Sequence, residues 1–239
     1  MIDLRKRLLV LFVVSVFAMC ASPAFANPIT NGDFQSGNIG FTSAYTYHAL
    51  TTDDPDYDYG DPLGLYEEKY YGVGTDPGDY HISWSHFGDH TSGTGNMMIV
   101  NGARDAGVNV WAVPSSGTIN VIPWTQYYFS AWLASVYPAL ESQPTNPATL
   151  AFGINGGQIG SDFTLSEPVG TWQQFYVPWF SGTDTTVQLS LLNKNTLYDG
   201  NDFALDDIVL DTRNPVPEPA TLLLLGFGLL GLVGLRRKE

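Results

Sequence analysis

Cysteine is almost missing: Cys20 is the only one in 239 residues. One cysteine closes no disulfide within a chain and builds no cysteine-rich metal centre. Basic residues are scarce as well, 10 against 24 acidic. They gather at the ends, as Arg5, Lys6 and Arg7 and as Arg236, Arg237 and Lys238. Between Asn27 and Pro215 only Lys69, Arg104, Lys194 and Arg213 stand against 21 acidic residues, a net of −17 for that segment. Such a surface repels nucleic acid and anionic lipid, so no nucleic-acid partner is expected. Outside the two terminal apolar stretches no segment keeps a 3.6-residue apolar period, which excludes a helix-built domain. The Gly-x-Ser-x-Gly elbow of serine hydrolases is absent, and no internal repeat points to a solenoid or propeller.

What is present begins with those terminal stretches. Arg5, Lys6 and Arg7 precede the run "LLVLFVVSVFAMCA", and Ala24-Phe25-Ala26 offers the small-x-small site that signal peptidase accepts. Residues 1–26 are therefore predicted to be a signal peptide, with Ala24 and Ala26 at the cleavage site. Met19 is too large for the lipobox that a lipoprotein would need before Cys20. The mature chain then has no cysteine, as an exported protein without disulfides allows. At the other end Thr221 to Leu235 carries no charge. As a helix at ~1.5 Å per residue it reaches roughly 23 Å, short of a ~30 Å hydrocarbon core, so it spans only marginally. The basic cluster after it holds its end in the cytoplasm once the rest has crossed.

Val216-Pro217-Glu218-Pro219, then a glycine-punctuated apolar run over 220–235, then basic residues 236–238, resembles the PEP-CTERM sorting signal of exopolysaccharide-producing Gram-negative bacteria. The resemblance covers 214–239 and implies recognition by an exosortase, which removes the helix and passes the protein outward. The chemistry agrees, since a proline on each side of Glu218 keeps the site extended and outside any helix. A permanent membrane anchor with an incidental Pro-Glu-Pro is the plainer alternative. The expected location is the cell envelope or extracellular matrix.

Residues 27–213 read as one all-β domain of short alternating runs broken by turn residues. Strands are predicted after Pro123-Trp124 up to Tyr137, at Thr149 to Gly156, Trp172 to Phe180, Thr185 to Asn193 and Phe203 to Asp211. The blocks "NGDFQSG", "GTGNMMIVNG", "YYFSAWLAS", "TWQQFYV" and "FALDDIVL" resemble, in that order, the galactose-binding-like jelly-roll carbohydrate-binding modules, above all family 4. That resemblance implies a jelly-roll β-sandwich and, in many members, a structural calcium. Carried over position by position, the calcium ligands would be the carbonyl of Asp33, Gln35, Thr94, Met97 and Asp206. Gln35 stands where the family has an acid and brings only a neutral oxygen. Asp207 is expected to point away from Asp206, because neighbouring strand residues face opposite sides.

The same resemblance places a cleft aromatic near Trp111, which makes it the candidate sugar-stacking platform. Ile159 falls where a partner ring is expected. Asn155 and Gln158, with Gln126 and Gln174, are candidate hydroxyl partners, while Trp132 and Trp172 are assigned to the core. Asp53, Asp54, Asp56, Asp58 and Asp61 lack the glycine and glutamate of an EF-hand and read as a polar insertion. His81, His86 and His90 do not have the spacing of a helical zinc motif, and Asp89-His90-Thr91 reads as a structural turn. The expected function is an exported, non-catalytic surface or matrix protein, sorted by an exosortase and binding exopolysaccharide or another carbohydrate. The alternatives are an acidic structural protein that associates through calcium or with itself, and a polysaccharide-active hydrolase.

Overall fold

Between Gln126 and Ser135 the sequence alternates, and the two sets of side chains part company. Tyr127, Phe129, Ala131 and Leu133 enter the main core, whereas Tyr128, Ser130 and Trp132 face a surface cleft. Repetition of this pattern builds the domain. The computed structural model describes residues 27–49, 64–137, 146–197 and 200–215. The predicted signal peptide, the aspartate run from Asp53 to Asp61, the Val216–Pro219 motif and the apolar tail lie outside the described residues.

Twelve strands occur among the described residues: β1 Thr46–Tyr47, β2 Tyr70–Gly74, β3 Met97–Asn101, β4 Asn109–Ala112, β5 Ile119–Asn120, β6 Gln126–Ser135, β7 Thr149–Ile154, β8 Gly157–Thr164, β9 Gln173–Phe180, β10 Thr186–Val187, β11 Leu189–Asn193 and β12 Phe203–Asp211. The one helical element among them is a 3-10 turn, Pro77–Asp79. One sheet runs β1-β2-β3-β12-β6-β9, a second β4-β11-β7-β8, and β5 pairs with β10. Only β1 and β2 pair in parallel. The core strands of the two sheets, β3-β12-β6-β9 and β4-β11-β7-β8, interleave along the chain in the order of a jelly roll, with β1 and β2 added at one edge. The all-β jelly-roll sandwich expected from the sequence is the fold.

Both sheets contribute to one main core, including Met98, Val100, Phe129, Leu133, Phe152, Leu191, Phe203 and Leu205. Each such side chain adds roughly 1.5–3 kcal/mol by leaving water. The β7–β8 hairpin turns through Asn155 and Gly156, both at positive φ (51° and 80°), the Asn-Gly chemistry of a two-residue loop.

A second, smaller cluster lies on the outer side of the six-stranded sheet: Leu65, Tyr80, Trp84, Met97, Ile99, Val136 and Ala204. It forms because residues 64–96 fold back over that face. Tyr80 is held flat against β2, where a Cβ on Gly72 or Gly74 would come within 2.2 and 2.4 Å of its side chain. The covering stops partway, so the lower part of β12, β6 and β9 keeps an open outer face.

Candidate functional site

The open part of that outer face is a cleft of about 390 Å³. Tyr128, Ser130 and Trp132 of β6, Gln174 of β9, and Asp207, Val209 and Asp211 of β12 form its floor, and Arg213 to Pro215 form one wall. Tyr176 of β9, 41% exposed, stands 6.3 Å from Tyr128 between ring centroids. Rings that keep a free face beside carboxylate, amide, hydroxyl and guanidinium groups suit a polyhydroxylated ligand, which needs both apolar stacking and polar exchange. Arg213 donates through Nε and Nη2 to Asp211 Oδ2 at 2.9 and 2.6 Å. Partial burial works to raise Asp211, but the Arg213 pairing outweighs it and holds the carboxyl below its ordinary value.

A loop from Asp89 to Asn96 closes the upper end. Asp206 is fully buried: Oδ2 accepts from the amides of His90 (2.9 Å) and Thr91 (3.2 Å), and Oδ1 from the amide of Asp207 (2.8 Å). Burial and then the Asp207 charge push its carboxyl up to about 7 against the opposing pull of those donors. Asp207 does not point away as strand alternation predicts. The ladder to β6 slips between Asp206 and Val209, and Asp207 takes φ 46°, a bulge that inserts one extra residue. Both carboxylates therefore hold the same loop, with Asp207 accepting from His90 Nδ1 at 2.6 Å and Thr91 Oγ1 at 2.8 Å. The His90 ring then stacks on Trp132 at 3.8 Å. Trp132 thus belongs to the outer face and not to the main core, and Trp172 packs beside the second cluster with Nε1 donating to Gly88 O.

The expected calcium ligands are only partly brought together. Gln35 Nε2 donates to Asp33 O (3.0 Å), Asn96 O (3.1 Å) and Asp89 Oδ2 (3.3 Å), so an amide nitrogen sits where three oxygens meet. Asp89 is buried. Burial acts to raise its carboxyl, yet donors from Gly95, Ser92 and Thr94 prevail and lower it. Thr94 donates its amide to Ser92 Oγ, Met97 is buried in the β3 ladder opposite Gly74, and Asp206 is consumed by the loop donors above. The donor set is closed by its own hydrogen bonds and does not fit a calcium ion in this arrangement. Among the described residues, one other group has metal-ligand character, Asp76, Asp79 and His86, and it is largely exposed.

The sugar-platform assignment of Trp111 is corrected. It is 0% exposed, on an inward position of β4 beside Phe129, and a ring inside the core stacks on no outside ligand. Asn155 is a turn residue whose Oδ1 accepts the Gln188 amide. Gln158 lies on exposed β8, bonded to Asp162 and Lys194, on the opposite sheet from the cleft. Ile159 is partly buried against the main core. Gln174 does line the cleft. Tyr128 and Tyr176 fall inside the blocks "YYFSAWLAS" and "TWQQFYV" and Asp211 just after "FALDDIVL", but only their shared period-two positions in β6, β9 and β12 could have marked them as cleft residues.

Comparison with known proteins adds two findings. Residues 215–238 match the PEP-CTERM protein-sorting motif, so the chain carries a sorting signal of that kind. The folded domain is similar to carbohydrate-binding modules. They include the CBM22-1 xylan-binding domain from Paenibacillus barcinonensis, at 13% identity and TM-score 0.41 over 80% of this chain and 97% of that one. Another is TmCBM61 in complex with β-1,4-galactotriose, at 13% identity and TM-score 0.40 over 78% and 98%. A third is a family 16 carbohydrate-binding module, at 14% and 0.38 over 77% and 99%. The jelly-roll assignment rests on the strand order and not on these superpositions. No curated protein matches the chain.

Proposed function

We propose that this chain is an exported, non-catalytic protein of the Gram-negative envelope or extracellular matrix that binds carbohydrate on the outer face of its six-stranded sheet. In this reading signal peptidase removes residues 1–26 and an exosortase acts at Val216–Pro219, with the apolar tail anchoring the chain in the membrane until then. The cleft with its Tyr128–Tyr176 pair carries the reading, because accessible rings and hydroxyl-bonding groups coincide there on an open sheet face. The acidic surface directs it to neutral polysaccharide, and exopolysaccharide of the producing cell is the natural partner.

Asp207 and Asp211 border the cleft as carboxylates, which would also suit a glycoside hydrolase. Asp207 is hydrogen-bonded to His90 and Asp211 is ion-paired with Arg213, and each serves as a fixed acceptor for hydroxyls. The test is electrophoresis through gels containing neutral β-linked polysaccharides. Tyr176→Ala is expected to weaken retardation several-fold through lost ring stacking while leaving the fold intact. Equal retardation of wild type and variant would remove the cleft from the binding site, and release of reducing sugar would replace binding with hydrolysis.

A further inference from the structure

One end of the sandwich presents apolar side chains that the carbohydrate cleft does not use. Trp124 is 68% exposed, Ile122 55% and Phe180 53%, and the Trp124 and Phe180 rings lie 6.2 Å apart. The turn that carries them is firmly built. The Trp124 amide donates to Gly182 O at 2.6 Å, Ser181 Oγ donates to Ile122 O at 2.8 Å, and the Thr125 amide donates to Ser181 Oγ at 2.9 Å. Trp124 takes φ 58°, a left-handed conformation that bulky residues rarely adopt.

The position of the chain ends identifies that occupant. A small hollow beside Ile122 and Tyr127 is walled by Pro28 on one side and by Leu210, Asp211 and Thr212 on the other. The chain therefore enters the domain beside the patch at Pro28 and passes it again at Leu210 to Thr212, before Arg213 to Pro215 run along the cleft wall. Pro28 follows closely on the apolar N-terminal stretch. The uncharged run 221–235 begins ten residues after Asp211, within ~35 Å even for a fully extended chain. A protein held in a bilayer by the C-terminal run is tethered near this end of the sandwich. Tryptophan is enriched at the lipid–water interface, where its ring is buried and its N–H stays wet. Ile122 and Pro123 flank it with mainly aliphatic surface, and Gln126, opposite Phe180, is its exposed polar neighbour.

We propose that Ile122, Trp124 and Phe180 form a docking tip that enters the interface of a neutral-headgroup bilayer while the apolar tail is anchored. The proposal rests on the membrane-anchored tail of the proposed function. Docking seats the domain upright on the membrane, holds the sorting segment near the surface and leaves the carbohydrate cleft at the side. The acidic domain confines the contact to uncharged lipid.

The test uses the full chain reconstituted in phosphatidylcholine vesicles, with and without bromine on the acyl chains near the headgroup. Trp124 is one of six tryptophans, so bromine is expected to quench about one sixth of the emission in wild type and none of that share in Trp124→Ala. Trp124→Gly suits the left-handed turn and gives the same loss with folding assured, while Phe180→Ser lowers the quenching with Trp124 in place. Co-flotation with vesicles in every variant, together with equal quenching in wild type and Trp124→Gly, would overturn the docking tip and leave the anchored tail standing. Failure of the wild type to float would overturn both. Loss of polysaccharide retardation in Trp124→Gly, with unchanged quenching, would reassign the patch to glycan.

Discussion

Replacing Asp206 by asparagine tests the central claim that this buried carboxylate fastens the Asp89–Asn96 loop over the upper end of the cleft. The wild-type carboxyl is raised to about 7 by burial and by Asp207, well above an unfolded value of ~3.9. The folded state therefore binds more protons than the unfolded state between those values. The associated stability is fully present below about pH 4 and is lost as pH rises through about 7. Between pH 5 and pH 8 the loss comes to about 2–3 kcal/mol, because each tenfold difference in proton affinity between the two states is worth ~1.4 kcal/mol. Asp89 and Asp211, whose carboxyls are lowered, keep their stabilisation above about pH 4, lose it only as pH falls further, and contribute little in this window. Asparagine has one acceptor oxygen for the amides that meet the two carboxylate oxygens, so the variant loses about 1–3 kcal/mol at every pH. Urea unfolding followed by tryptophan fluorescence at pH 5, 6.5 and 8 should show the wild type approaching the variant as pH rises. Parallel curves, with a constant gap from pH 5 to pH 8, would refute the reasoning and show that Asp206 is ionised throughout.

Further outcomes follow from other parts of the molecule. Trp111 is buried with its Nε1 lacking a hydrogen-bond partner, so Trp111→Phe should leave the melting temperature within a few degrees of wild type. Trp111→Ala should cost about 3–5 kcal/mol, and calorimetry distinguishes the two. A Cβ at Gly88 would lie 1.9 Å from the Gly93 carbonyl oxygen; Gly88→Ala should open the Asp89–Asn96 loop, seen as faster hydrogen exchange of the His90 and Thr91 amides. Gln35→Glu puts a carboxylate against Asp89 and two carbonyls. This variant should melt lower than wild type and be restored by millimolar calcium, whereas a chelator should leave the wild type unmoved.

The sequence alone determined the class of the domain and the sorting signal at its C-terminal end. Alternation with period two in "YYFSAWLAS" and "FALDDIVL" and the Asn155-Gly156 turn are local patterns, and local patterns require strands and hairpins wherever they fall in the fold. The sorting signal was legible for the same reason, since Val216–Pro219, the apolar run and the basic cluster are read in order along the chain.

Which of two alternating faces looks inward was decided only by the tertiary structure. Trp111 and Trp132 both stand in strands, yet Trp111 is sealed against Phe129 while Trp132 lies under His90 on the open sheet. Strand order, not composition, makes that difference. Likewise the bulge at Asp207 reverses its expected direction, because one extra residue in β12 shifts every side chain after it by half a period. The cleft gathers β6, β9 and the last strand, β12, from positions as far apart as Tyr128 and Asp211. That convergence depends on crossovers between sheets, which no local stretch of sequence encodes.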